Sequence, residues 1–442
     1  MLGSRSSWRS SRLATVMRIK RCMAVALVCL CCFLWVVYAQ PSSRPGTGSA
    51  QLLTQGRFGG AVDEMTGLAG LPLLFSWPAS SLHTSFTGTT ISATLSALPA
   101  TAFYDVSSRF RFYVDEQQTS AESTDIGNTV IRWKATGLGP GRHNLTITKL
   151  SEASYGQVSL NTLTLGAGGR FLTPTLPPAL ASGRRIMVIG DSFTVGLANV
   201  GNASTCIPST ADCSEGNFNC HQLPVETEDA SLSWGPLTAA NFTADYQVIA
   251  WSGAALARES GDHSNLPQEV AQELTPSDIE LFGRQVAGNR SRRVGNFSAW
   301  VPQVVVIGSG GNDFRGGRPF PPLDEWVSNV IGFMNTINQE FGNPEIITMV
   351  YPAETMLQGI LDATQAETYR SYMFSLHDEA QAAGMTNVHQ LVMDVSSMPL
   401  EGWCGSHPTA ATDANIAAQL SAFIVEELPH WPSSRHPMIA HV

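Results

Sequence analysis

The amino-acid sequence predicts an α/β fold, a doubly wound parallel sheet, preceded by an N-terminal β-sandwich. Three observations carry that expectation. Between about residues 68 and 168 the apolar residues recur with period two and no helical window intervenes. Gly166 to Gly169 and then Pro174, Pro177 and Pro178 break this pattern. Beyond the break, short apolar runs alternate with helical windows, as in a parallel sheet covered on both faces. The 442 residues accordingly divide into 1–39, a targeting leader; 40–67, a linker; 68–172, the sandwich; and 180–430, the α/β domain.

Charge sets the leader apart. Arg5, Arg9, Arg12, Arg18, Lys20 and Arg21 stand in it without an acid, so it carries +6 of a chain whose net charge is −10. The remainder, with 20 basic against 36 acidic residues, is −16. Met23 to Val37 is an uncharged apolar run, and Val37-Tyr38-Ala39 offers the small residues of a cleavage site before Gln40. This reads as a signal peptide or, because the run falls between the lengths of a signal core and a spanning helix, as a signal anchor through residues 23–39. The two readings make the chain secreted and extracellular, or type II membrane-anchored with residues 40–442 on the lumenal side. The acidic balance argues against a nucleic-acid partner. Lys134 and Lys149 are the only lysines past the leader, so lysine-based covalent chemistry has almost no candidates. With 43% hydrophobic residues and 14% charged, disorder over most of the chain is excluded and the surface must rest largely on Ser, Thr, Asn, Gln and Gly.

Residues 40–65, rich in Pro, Ser, Gly and Gln, read as the linker. In the sandwich, Ile91, Ala93, Leu95 and Ala97 alternate with Ser92, Thr94 and Ser96, and Leu145 and Ile147 alternate with Asn144, Thr146 and Thr148, as half-buried strands do. Along 158–165 the apolar parity switches between Leu160 and Leu163, which predicts a bulge. In the α/β domain the strands are Ile186 to Ile189, Tyr246 to Trp251, Gln303 to Ile307, Glu345 to Val350 and Val388 to Met393. Helical windows lie near 234–243, 323–341, 363–384 and 408–427. Five strands suit a flavodoxin-like sheet, whose ligands bind beyond the carboxyl ends of the strands.

Those ends carry three candidates, and the start of the last helix carries a fourth. Ile186 to Ile189 runs into Gly190-Asp191-Ser192, where a serine at a strand-to-helix turn serves as a nucleophile or, more commonly, as an N-cap. Trp251-Ser252-Gly253 ends the next strand, its glycine permitting close backbone approach or simply making a turn. Gly310-Gly311-Asn312-Asp313 brings an amide donor suited to an oxyanion or to a polar turn. Gly405-Ser406-His407-Pro408 precedes the last helix, with a histidine as base or surface residue and Pro408 placed as in a first helical turn.

Taken together and in chain order, Ser192, Gly253, Asn312 and His407 resemble the four residues that name the SGNH hydrolase superfamily, related to the GDSL enzymes. Trp77, Phe86-Thr87-Gly88-Thr89, Val114-Asp115, Gly141-Arg142-His143, the region of Lys149-Leu150-Ser151-Glu152, Gly156 and Cys404 before His407 make the chain similar to carbohydrate esterase family 2, the acetyl xylan esterase type, over roughly residues 70–428. The resemblance implies a jelly-roll-like sandwich before an SGNH hydrolase domain that deacetylates plant polysaccharides such as xylan or glucomannan, with acetylated carbohydrate as substrate. It implies Ser192 as nucleophile, His407 as base, and Ser192 N–H, Gly253 N–H and the Asn312 amide as oxyanion donors. Neither cofactor nor metal is expected, and the working unit is expected to be a monomer. Asp191, beside the nucleophile, reads as a turn or packing residue. The superfamily usually places an acid two or three residues before its histidine, but here those positions are Gly405 and Cys404. The imidazole is then oriented by a backbone carbonyl near Cys404 or Gly405, or by a distant carboxylate such as Asp394, or the enzyme is impaired. Two other readings stand beside the acetyl esterase: a catalytically weak carbohydrate-binding SGNH protein, and an SGNH esterase for lipid or aryl esters.

Outside the leader the cysteines are Cys206, Cys213, Cys220 and Cys404. An even number in an oxidising compartment predicts disulfides, within the 201–233 loop and from it to Cys404, whereas their seven-residue spacing does not suit zinc. Sequons mark Asn144, Asn202, Asn241, Asn289 and Asn296 as glycosylation candidates.

Overall fold

A computed structural model describes residues 50–59, 68–98, 108–124, 128–202, 225–258, 276–287, 294, 297–315, 319–352, 357, 360–394, 396, 398, 406–429 and 431. Twelve of the described strands precede residue 173. These are β1 (Leu52–Gln55), β2 (Phe58–Gly59), β3 (Leu68–Ala69), β4 (Leu73–Phe75), β5 (Ser81–Thr87), β6 (Thr90–Leu98), β7 (Arg109–Val114), β8 (Gln117–Ser123), β9 (Val130–Thr136), β10 (Arg142–Lys149), β11 (Gln157–Leu165) and β12 (Arg170–Leu172). They form two antiparallel sheets, one ordered β3-β1-β5-β10-β7-β8 with β12 also paired to β5, the other β2-β4-β11-β6-β9. The expected alternation holds: Ile91, Ala93, Leu95 and Ala97 of β6 and Leu145 and Ile147 of β10 are buried in one apolar cluster with Phe75, Phe110 and Phe112. The register of β11 against β6 shifts between Leu160 and Thr162, where the parity switch placed a bulge. The segment read as a linker differs from expectation in that β1 and β2 lie within it. Each is four residues or fewer and is held by pairing with β5 and β4, a long-range interaction without a local signature.

The second half contains a five-stranded parallel sheet, β13 (Arg185–Gly190), β14 (Asp245–Ala250), β15 (Val304–Gly308), β16 (Glu345–Val350) and β17 (Val388–Val392), in the order β14-β13-β15-β16-β17. This is the flavodoxin-like order 2-1-3-4-5. Every residue of β15 is buried, as a central strand covered on both faces requires. The described helices are α1 (Pro178–Ala181), α2 (Ser192–Val195), α3 (Trp234–Asn241), α4 (Asp278–Phe282), α5 (Leu323–Phe341), α6 (Ala363–Ala382) and α7 (Ala410–Glu427). Helix α7 begins later than the 408–427 window: Thr409 caps it, its side chain accepting from Thr412 N–H, so Pro408 precedes the cap instead of sitting in the first turn.

Sandwich and α/β sheet share an interface. Trp77, Ala79 and Ala153 belong to the apolar core of the α/β region. Trp77 Nε1 donates to the Gln285 carbonyl at 3.1 Å, Tyr246 hydroxyl to the Ala79 carbonyl at 3.0 Å, and buried Arg57 to the carbonyls of Phe282 and Arg284 at 2.7 and 2.9 Å. Burial lowers the Arg57 guanidinium to about 9. Arg109 also donates to the Glu226 and Glu228 carbonyls at 2.8 and 3.0 Å, and Arg111 pairs with Asp229.

Two expectations are corrected. No disulfide occurs among the described residues, because none of them is a cysteine; Cys206, Cys213, Cys220 and Cys404 all lie outside. No helix among the described residues is long and apolar enough to cross a membrane, so the membrane anchor is not retained; residues 23–39 lie outside the described residues.

Candidate active site

Strand β13 lies between β14 and β15, so the three carboxyl ends singled out in the sequence are neighbours. At the first, Gly190 must be glycine: a Cβ there would lie 2.1 Å from Thr194 Oγ1 and 3.2 Å from the Gly308 carbonyl oxygen. Asp191 caps α2, its Oδ1 accepting from Phe193 N–H at 3.1 Å. Ser192 is the first helical residue and is 9% exposed. Gly253, after β14, has φ +82°, a conformation that favours glycine.

Asn312 joins these ends. It is 6% exposed, and its Nδ2 donates to Asp191 Oδ2 at 3.1 Å and to the Ala254 carbonyl at 2.9 Å. The amide is therefore seated between the Ser192 turn and the Gly253 turn. Asp313 supports the same turn from its other side, accepting from the backbone N–H groups of Leu256, Ala257 and Arg258 at 2.7, 3.0 and 3.2 Å and from Trp326 Nε1 at 2.9 Å. Sequence reasoning used the asparagine of this pair and missed the aspartate, whose one signal in the sequence was its place directly after Gly310-Gly311-Asn312.

His407 is carried to the site by its neighbours. The Ala410 N–H at the start of α7 donates to the Asn199 carbonyl at 2.8 Å, and Asn199 Nδ2 donates to Asp413 at 3.1 Å, tying α7 to the segment that follows α2. The His407 ring then stands edge-on to Phe193, centroids 5.4 Å apart, one residue from Ser192. Asp394 is directed elsewhere: its carboxylate accepts from Ser396 N–H and Oγ at 2.8 and 2.7 Å, which holds the carboxyl below its usual range. Cys404 and Gly405 lie outside the described residues.

Three carboxyls, Asp191, Asp278 and Asp313, are buried at this end of the sheet. Burial pushes the Asp191 carboxyl up to about 7, with a smaller contribution from Asp313 and against the Phe193 N–H bond. Burial also raises Asp313, and raises Asp278, whose Oδ2 accepts from Ser309 Oγ, well above the carboxylate range. Among the described residues no group of three His, Cys, Asp or Glu is arranged to hold a metal ion. Of the glycosylation candidates, Asn144, Asn202 and Asn241 are exposed; the Asn144 side-chain oxygen accepts from Ser85 Oγ at 2.6 Å, and Asn241 Nδ2 donates to Ser421 Oγ at 3.0 Å. Asn289 and Asn296 lie outside the described residues.

Residues 69–175 match the profile of the carbohydrate esterase 2 N-terminal domain. A solved structure of a family two carbohydrate esterase from Clostridium thermocellum with cellohexaose superposes with a TM-score of 0.64 and 25% identity, covering 86% of this chain and 99% of that one. The chain is a relative of the family 2 carbohydrate esterases. It is 25% identical to the cellulase/esterase CelE of Acetivibrio thermocellus over 88% of its own length, and 29% identical to an acetylxylan esterase / glucomannan deacetylase of Cellvibrio japonicus over 81%. It spans 41% of the length of CelE and 86% of that of the Cellvibrio japonicus protein. Family 2 relatedness thus extends over both the sandwich and the α/β sheet.

Proposed function

We propose that this chain is a secreted carbohydrate O-acetyl esterase, with a jelly-roll-like sandwich over about residues 68–172 and an SGNH hydrolase domain over about 180–430. The observation that carries the reading is the seating of Asn312 between the turns of Ser192 and Gly253, with the His407 ring against Phe193. Ser192 Oγ adds to the ester carbonyl carbon while His407 takes its proton. The carbonyl oxygen becomes an oxyanion held by Ser192 N–H, Gly253 N–H and Asn312 Nδ2, which shares with it the hydrogen that Asp191 accepts. The bond to the sugar oxygen breaks, His407 returns the proton to that alcohol, and water then releases acetate from Ser192 by the same route. The relatives' names, which include acetylxylan esterase / glucomannan deacetylase, support xylan or glucomannan as the polymer.

The test is acetate release from acetylated xylan and acetylated glucomannan, with a short lipid ester alongside. Wild-type protein should release acetate from a polysaccharide, and Ser192→Ala should lower kcat on the order of 10⁴-fold or more. Binding of polysaccharide with no Ser192-dependent hydrolysis, or a preference for long acyl chains, refutes the proposal.

A further inference from the structure

The connection from β10 to β11 leaves the sandwich and reaches the rim of the α/β sheet. Ala153 is part of the α/β core, and the Leu150 carbonyl accepts from Ala230 N–H at 2.7 Å. Between them stands Glu152, 3% exposed, whose Oε2 accepts the backbone N–H of Ser252 at 2.7 Å. Ser252 lies two residues beyond the end of β14 and directly precedes Gly253. Holding its N–H fixes the plane of the Trp251–Ser252 peptide, so only the two backbone rotations of Ser252 separate that anchor from the Gly253 N–H. A glycine at φ +82° has little steric restraint of its own to add.

Glu152 is itself held from beneath. Buried Lys149 Nζ donates to the Ser151 and Glu152 carbonyls at 2.6 and 2.7 Å and to Ser151 Oγ at 3.2 Å, which pins the backbone on which Glu152 stands. Burial lowers the Lys149 ammonium to about 7, opposed by the charges of Glu228 and Glu152; burial raises the Glu152 carboxyl, opposed by the Ser252 N–H. Buried groups of this kind are costly unless paired, and here one of the pairings ends at the candidate oxyanion turn.

We propose that Glu152 is a positioning residue for the reaction: through its bond to Ser252 N–H, the sandwich sets the Gly253 N–H against Ser192 and so completes the hydrolytic site. This rests on the reading of Gly253 as an oxyanion donor. A misplacement of about 1 Å at such a donor costs on the order of 10²-fold in rate. Glu152→Asp keeps the charge but shortens the reach, Glu152→Ala removes the acceptor, and Glu152→Gln retains one oxygen able to accept from Ser252.

The experiment measures kcat and KM on 4-nitrophenyl acetate, inhibition by an alkylboronic acid that forms a tetrahedral adduct on the serine, and far-UV circular dichroism. In Glu152→Ala and Glu152→Asp, kcat should fall on the order of 10²-fold with KM within about threefold of wild type. The boronic acid Ki should rise by the same factor, and Glu152→Gln should recover most of the rate. A merely structural role would lower stability without moving kcat and Ki together in folded protein. Should Glu152→Ala not fold, Glu152→Asp carries the test. A kcat within about twofold of wild type in either folded variant, or a fall in kcat with Ki unmoved, overturns the proposal. Full activity in Ser192→Ala overturns instead the reading of the site itself, so the two failures are told apart.

Discussion

Replacing Asp191 by Asn tests the geometry of the site with a near-isosteric change. The carboxyl offers two oxygens, one accepting from Phe193 N–H and one from Asn312 Nδ2, both at 3.1 Å. An asparagine offers one. Whichever way its amide turns, either the cap of α2 or the anchor of Asn312 is lost, and an NH₂ group faces a donor. Leaving a buried donor unmet costs about 1–3 kcal/mol. Expressed fully in the transition state, that is roughly a 5- to 150-fold fall in kcat. Stability should respond separately. Because burial pushes the Asp191 carboxyl up to about 7, the folded chain binds this proton more tightly than the unfolded one. The stability it contributes is full below about pH 4 and is lost as pH rises through about 7, so Asp191→Asn should flatten the fall in melting temperature between pH 5 and 8. Steady-state hydrolysis of 4-nitrophenyl acetate and thermal denaturation at the two pH values provide the measurements. A folded Asp191→Asn protein with kcat within about twofold of wild type refutes the argument that this carboxyl seats Asn312.

Asn312→Ala should lower kcat about 10²- to 10³-fold with little change in KM, and a change confined to KM would remove the amide from the oxyanion set. Asp394→Asn should leave kcat within about twofold, because its carboxylate already serves Ser396; a large loss would restore Asp394 as the group orienting His407. Gly405→Asp should raise kcat about tenfold, or about 1.4 kcal/mol, if orientation of His407 limits the rate, and an unchanged rate would weaken that idea. Trp77→Ala should cost about 3–5 kcal/mol in urea denaturation, since it opens a fully buried indole site in the α/β core; a loss under about 1 kcal/mol would show that the interface does not stabilise the chain.

Much of the fold was legible because its signals are local. The parallel strands are continuous apolar runs, and all five were located to within about two residues of the ends observed. Helix α5 follows from its 3.6-residue spacing over Leu323–Phe341, whereas α4, five residues long, is too short to show that period. The bulge in β11 was readable from one change of parity. Strands β1 and β2 were not, because their place depends on partners in β5 and β4 and not on their own composition.

The sequence by itself determined which chemical groups stand at which strand ends, since a strand end is set by a local apolar run and a turn residue. Only the tertiary structure decided what those groups touch. Asn312 and Asp191 are 121 residues apart, and Glu152 and Ser252 are 100 apart. Each pair meets through a hydrogen bond whose length depends on strand order, register and the seating of one sheet on another. Glu152, Trp77 and Gly156 were noticed in the sequence as marks of resemblance. Packing gives two of them a physical meaning: Trp77 joins the α/β core, and Glu152 holds the turn before Gly253. Such contacts arise from the burial of apolar surface across the whole chain, which no local window of residues contains.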